Sequence, residues 1–261
     1  MDLALVFLIA LGITGTIIVL HNIWTMIRAR NDDFMESPKL PRIVDYSRSF
    51  FPIILIVFLL RSFVVEPFRI PSGSMLPNLH IGDFILVNKY VYGLRLPVIH
   101  NKIANFGSPD RGDVMVFRYP VDPKLNFIKR VVALPGDELS YVNKRLSING
   151  VEVTTKAADQ YFPDKNTNHS YPLDQFVEMI GSQDHRIITD NNRGSRDLER
   201  VIVPEGHFFV LGDNRDHSND SRYWRFVPEN HIVGKAFMIW FSWKGSEDGW
   251  VDWSRIGSSI E

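Results

Sequence analysis

Phe127-Ile128-Lys129-Arg130-Val131-Val132 is a short, β-branched run closed by the turn signal Pro135-Gly136-Asp137. Phe84-Ile85-Leu86-Val87 and Val114-Met115-Val116-Phe117 read the same way, bounded by Gly82-Asp83 and Arg111-Gly112-Asp113. Such runs between glycine- and aspartate-bearing turns are strands. No helical period separates them, so they predict antiparallel sheets. Ser147-Ile148-Asn149-Gly150-Val151-Glu152-Val153 adds a hairpin on an Asn-Gly turn. His207-Phe208-Phe209-Val210-Leu211 and the run from Ile232 to Trp243 continue the β pattern. The expected fold class is mainly β, with an antiparallel β core over 66–140 and 205–261. Residues 154–204 are polar and read as irregular, so 141–204 is expected to be an inserted smaller domain or loop region. Asn168-His169-Ser170 fits a glycosylation pattern that many untouched loops also fit, and it carries no weight.

Upstream of the strands lie two apolar segments. The first begins Leu3-Ala4-Leu5-Val6-Phe7-Leu8 and stays almost free of charge to residue 27. About 20 apolar residues suffice to cross a bilayer as a helix. A cleaved signal peptide would want a basic start, and this chain starts Met1-Asp2, so 1–27 reads as a retained transmembrane helix. Residues 28–48 carry Arg28, Arg30, Lys39, Arg42 and Arg48, with Pro38 and Pro41 arguing against a helix through them. The positive-inside rule makes this a cytoplasmic linker. Residues 49–65 read as a second spanning helix with Arg61 snorkelling to the interface, the alternative being a buried core helix. Two crossings return everything after about residue 66 to the side opposite the linker. The C-terminal indoles Trp240, Trp243, Trp250 and Trp253 read either as packing or as membrane-interface anchors.

Formal net charge is −1 over 261 residues, so no global field points to nucleic acid. With no cysteine there is no disulfide framework and no thiol nucleophile. The eight histidines show no metal-ligand spacing, and no metal or cofactor is expected.

Three stretches bear chemistry. Ile70-Pro71-Ser72-Gly73-Ser74-Met75-Leu76-Pro77 sets two serines around a glycine between stiffening prolines. A hydroxyl on such a turn can stand clear of the backbone as an attacking group must, although Ser-Gly-Ser is also an ordinary loop sequence. Lys129 shares one strand face with Phe127, Val131 and Ala133, and Arg130 shares the other with Ile128 and Val132. If the first face is the core, burial lowers the lysine's pKa and makes its amine a general base; the pattern leaves both faces open. Gly212-Asp213-Asn214-Arg215-Asp216-His217-Ser218-Asn219-Asp220-Ser221-Arg222 is dense in hydrogen-bonding groups, and its arginines and aspartates are expected to pair and fix the loop.

Together with Arg111-Gly112-Asp113-Val114 and Leu134-Pro135-Gly136-Asp137, these stretches resemble bacterial type I signal peptidases of the Gram-negative type. The resemblance implies a membrane-bound serine endopeptidase that removes signal peptides through an acyl-enzyme. It implies Ser74 as nucleophile, Lys129 as general base, Ser72 and the Ser74 amide as oxyanion hole, and Ser218 orienting Lys129. Asp213, Asp220 and Arg222 would hold the loop. Substrate would lie along Phe68, Ile70, Pro71, Ile85, Val116, Asn126, Phe127 and Ile128. The implied partners are secretory preproteins with small residues before the cut and the lipid bilayer, with no nucleic acid. The implied location is the bacterial inner membrane, multi-pass, with the catalytic domain periplasmic. Two departures stand out: His217 sits where the family usually has asparagine, and a disulfide known in some members is missing. A histidine triad based on His217 and a non-enzymatic membrane-tethered binding module are the rival readings.

Overall fold

The computed structural model describes residues 3–31, 40–163, 171–181, 183–245 and 249–260. They fall into two units, Met1–Val65 with Arg95–Ile103, and Glu66–Leu94 with Ala104–Glu261. Pro38, Lys39 and the Asn168-His169-Ser170 match lie outside the described residues.

In the first unit, α1 is Leu3–Asn31 and α2 is Arg42–Leu59, continued by a π-helical turn, Leu60–Val64. Leu3–Arg28 and Arg42–Val64 are long and apolar enough to cross a membrane, at 26 and 23 residues. Within α1 the Thr14 and Thr16 hydroxyls donate to the Ala10 and Gly12 carbonyls at 2.7 Å, so neither is left unsatisfied among apolar neighbours. Both helices reach into the segment read as linker, α1 to Asn31 and α2 from Arg42 rather than 49. Pro41 explains the second boundary. It sits just before the first helical residue, with φ −56 and ψ 137, where its missing N–H costs nothing, and its carbonyl accepts from the Val44 and Asp45 amides.

The second unit is mostly antiparallel β. Its strands, with a short hairpin at the edge of the first unit, are β1 (Val65–Arg69), β2 (Asp83–Asn88), β3 (Leu94–Arg95), β4 (Lys102–Ala104), β5 (Val114–Arg118), β6 (Asn126–Ala133), β7 (Glu138–Val142), β8 (Arg145–Ile148), β9 (Val151–Glu152), β10 (Thr155–Ala157), β11 (Asp174–Ile180), β12 (Gln183–Thr189), β13 (Leu198–Ile202), β14 (His207–Leu211), β15 (Val227–Pro228), β16 (Ile232–Gly245) and β17 (Trp250–Val251). The main sheet runs β1-β2-β16-β5-β6-β14-β15, with β17 on β16. The long β16 pairs with β2 on one side and β5 on the other. Ile70, Ile85, Val87, Val114, Val116 and Ile239 make one buried cluster, and Met115, Phe117, Val131, Phe208, Val210 and Ile232 another. Alternate residues of β5 thus enter different clusters, which is why its four apolar residues are all buried. The four C-terminal indoles are exposed, so they lie outside the core, and Trp240 packs at the edge on the Phe84 ring, Trp243 on Trp250.

Residues 154–204 are not irregular. They hold β10, β11, β12 and β13, with β10-β11-β12 as a three-stranded sheet and β13 added to β7-β8-β9. Charged residues interrupt the apolar pattern here, outward at Asp184 and Arg186 and buried at Glu178, and this dilutes the strand signal. Gly181 turns β11 into β12 at φ +67, where a Cβ would stand 2.4 Å from the Arg111 carbonyl oxygen. Leu173 and Ile188 of this segment pack on Leu76, two residues after Ser74. The segment therefore buttresses the turn that carries Ser74.

Candidate active site

Ser74 lies in a single 3₁₀ turn, Gly73–Met75, entered from the extended Ser72. Ser74 is 9% exposed rather than standing on an open turn, because Met75 and Leu76 anchor the turn in the core. Lys129 reaches it from the middle of β6. Its Nζ donates to Ser74 Oγ at 2.7 Å and to the Ile128 carbonyl at 2.7 Å, and it lies 5.5 Å from the centre of the Phe127 ring. Burial lowers the Lys129 pKa from 10.5 to about 8, against the opposing pull of Asp220 and Asp213. The strand pattern left two faces open, and the structure buries both: Lys129 is 4% and Arg130 1% exposed. Arg130 is tolerated because Asp213 meets it with two hydrogen bonds, at 2.9 and 2.8 Å, and the Gly112 carbonyl accepts a third. Burial alone would raise the Asp213 pKa, but Arg130 holds the carboxyl below its ordinary value.

The 212–222 loop is fixed largely by partners outside itself. Asp220 pairs with Arg222 at 2.8 Å, accepts from the Gly212 amide at 3.1 Å, and caps the short helix α3 (Ser221–Trp224). Arg215, however, forks onto Glu178 of β11, and Asp216 takes Lys144 at 2.9 Å. The Arg222 guanidinium donates to the Arg215 carbonyl and lies over the Tyr141 ring. Asn214 then ties the loop to the serine turn: its amide donates to the Ser74 carbonyl at 3.1 Å and its Nδ2 to the Gly73 carbonyl at 3.0 Å. Asn78 adds a bond to Asp213 at 2.6 Å. Arg130, Glu178, Asn214 and Asn78 were missed by sequence reasoning. The one signal for Glu178 is the short apolar run Phe176-Val177-Glu178-Met179-Ile180 before the turn residue Gly181, weakened by the charge at its centre.

Ser74 and Lys129 line a cleft of about 910 Å³ together with Ser72, Ser218, Pro71, Asn126, Phe127 and Ile128. Other expected substrate contacts lie beneath it. Ile70, Ile85 and Val116 are core residues, and Phe68 packs against their cluster, because alternate positions of β2 and β5 face inward. The hydrogen bond expected between Ser218 and Lys129 is not formed. Ser218 Oγ is buried without a partner among the described residues, and Lys129 Nζ is committed to Ser74 and Ile128. His217 bonds Asp190 at 2.9 Å through Nε2, and no hydrogen bond joins it to Ser74 among the described residues.

Gly212 leaves no room for a side chain beside the serine turn. A Cβ there would stand 2.2 Å from Ser218 Oγ and 2.6 Å from the Ser74 carbonyl oxygen. Gly212→Ala is expected to fold but to lose roughly 100-fold in kcat, the scale of a small misplacement of reacting groups. Rate and thermal unfolding measured on one preparation check it; an unchanged kcat would refute the close approach.

The family model for signal peptidase, peptidase S26, matches residues 43–243. The chain belongs to this family. It is therefore a serine protease, in a family of membrane-associated enzymes. The chain is 48% identical over 232 residues to signal peptidase I of Pseudomonas aeruginosa, covering 84% of this chain and 80% of that one. It is 50% identical over 232 residues to signal peptidase I of Pseudomonas fluorescens, with the same coverage of 84% and 80%. A solved signal peptidase I structure from Enterococcus faecalis is 28% identical and covers 49% of this chain and 96% of its own, at a TM-score of 0.29. Membership sets aside the binding-module reading.

Proposed function

We propose that this enzyme removes signal peptides from secretory preproteins with a Ser74–Lys129 dyad. The observation that carries this is a buried amine 2.7 Å from a serine hydroxyl in an open cleft. As a neutral amine, Lys129 accepts the Ser74 proton while Oγ bonds to the scissile carbonyl carbon. The oxyanion is held by the Ser72 hydroxyl and the Ser74 amide. Lys129 then hands its proton to the departing amine as the C–N bond breaks. Water, deprotonated by the same amine, releases the acyl group and restores Ser74. Ser218 joins once substrate enters, since its buried hydroxyl has a free donor to spend. Pro71, Asn126, Phe127 and Ile128 would hold the residues before the cut, where small side chains in the Ala-x-Ala manner fit.

Purified enzyme incubated with a secretory preprotein should cut once, after the small residue ending the signal sequence, as read by N-terminal sequencing. No cut, or a cut elsewhere, would refute the reading. Ser72→Ala should retain cleavage at kcat reduced roughly 10²–10³-fold.

Both apolar helices would span the inner membrane, with the basic residues Arg28, Arg30, Arg42 and Arg48 on the cytoplasmic side. The β unit then lies in the periplasm, and the exposed tryptophans suit the interface. Protease added to spheroplasts should degrade the region after residue 66; its protection would overturn this orientation.

A further inference from the structure

The cleft has a second wall that the residues before the cut do not use: Tyr171, Arg193, Asn219 and Tyr223. Two of these come from the segment between β10 and β13. Two carboxylates beside it, Asp190 of this segment and Asp216 of the 212–222 loop, are already committed. Asp190 accepts from Tyr171 at 2.8 Å and from the Asn192 amide at 2.9 Å, and bonds His217 at 2.9 Å. Asp216 accepts from Lys144 at 2.9 Å and from the Asp190 amide at 2.8 Å. Among the charged side chains lining the cleft, Lys129 and Asp216 are buried, and Arg193 is exposed. Arg193 gives one N–H to the Asp216 carbonyl at 3.2 Å, which holds the side chain in place. Its other donors have no partner among the described residues. Arg196, on the same loop, lies 5.4 Å from the Tyr223 ring centre, so a second cation flanks the same wall.

We propose that this loop forms a basic lip over the leaving side of the cleft and selects carboxylate side chains on the first residues of the mature protein. The proposal rests on the signal-peptide reading above. It assigns Arg193 to specificity, with Arg196 in support; neither takes part in bond making. A planar guanidinium with free N–H groups pairs well with a carboxylate, and an exposed pair acts through weak, salt-sensitive attraction.

The test uses full-length enzyme in neutral detergent, so that no anionic lipid contributes. Substrates are quenched fluorescent peptides with Ala-x-Ala before the cut and alanine after it, carrying Glu or Lys at one of the first three mature positions. The readout is the ratio of kcat/KM for Glu over Lys, taken within each enzyme, so partial misfolding of a variant cancels. In wild type this ratio should be about three- to tenfold at low salt, carried by KM, and fall toward one at high salt. Arg193→Ala should bring it near one, and Arg193→Glu should invert it. A wild-type ratio near one, a ratio unchanged in Arg193→Glu, or the same preference with the charge placed before the cut would overturn the lip while leaving the cleavage reading intact. A wild type that cuts none of the peptides overturns the cleavage reading and the lip with it.

Discussion

Lys129→Ala should be as inactive as Ser74→Ala, each losing roughly 10⁴-fold or more, and the double variant should be no worse than either, because the pair acts as a unit. Lys129→Arg should be equally dead, since a guanidinium keeps its proton at any working pH. In the wild type, kcat/KM should climb with pH through about 8, the range in which the buried Lys129 gives up its proton. His217→Asn should still process preprotein and keep that alkaline rise. If the rise disappears in His217→Asn while Lys129→Ala still cleaves, the histidine at 2.9 Å from Asp190 is the base instead. Stability supplies an independent check. The folded-state pKa of Lys129 lies below its ordinary value of 10.5, so between about 8 and 10.5 the unfolded chain binds more protons than the folded one. Stability therefore rises with pH across that window, and below it the burial cost is fully present. Lys129→Met should accordingly be inactive yet more stable near neutral pH, by roughly 1–3 kcal/mol, with the advantage fading toward pH 10.5. A Lys129→Met protein no more stable than wild type at neutral pH would contradict the buried, desolvated amine.

Asp213→Ala should be the most damaging change away from the serine turn. It takes the countercharge from Arg130 in the core, where both partners of the pair are 1% exposed, and it removes one of the two acceptors of the Asn78 amide. Breaking a buried pair on one side costs about 3–5 kcal/mol. Replacing both partners with apolar residues, Arg130→Met with Asp213→Leu, should recover much of that, since neither charge is then left alone. Unfolding of the two single variants and the double variant closes the cycle; additive losses would mean the pair is not coupled. Activity reports separately. Asp213 pulls the Lys129 pKa upward, so Asp213→Asn should shift the alkaline rise to lower pH. A shift to higher pH, or none, would show that Asp213 does not reach the amine electrostatically.

Local signals carry far in this chain. The β runs at 84–87, 114–117, 127–132 and 207–211, and the Asn149-Gly150 turn, are all strands or turns where their side chains predicted. Strand propensity and turn conformations are properties of a few adjacent residues, so one sequence suffices to read them. The same holds for the two long apolar helices, apart from their inner ends, since α2 begins at Arg42 rather than 49. The segment 154–204 was misread because half-buried strands with charged outer faces carry a weak signal over a short window.

What only the tertiary structure decided depends on residues far apart in sequence. Period-two alternation could not choose between Lys129 and Arg130, and it had no single answer, because both faces of β6 are covered. Which cation becomes a poised amine and which a permanent pair follows from what stands opposite: a serine hydroxyl for one and the Asp213 carboxylate for the other. The pairing of the 212–222 loop was legible in kind but not in partner, since Glu178, Lys144 and Arg130 reach it across the fold. A charge's pKa and a hydroxyl's neighbours are set by burial and by distances through space, and spacing along the chain carries neither.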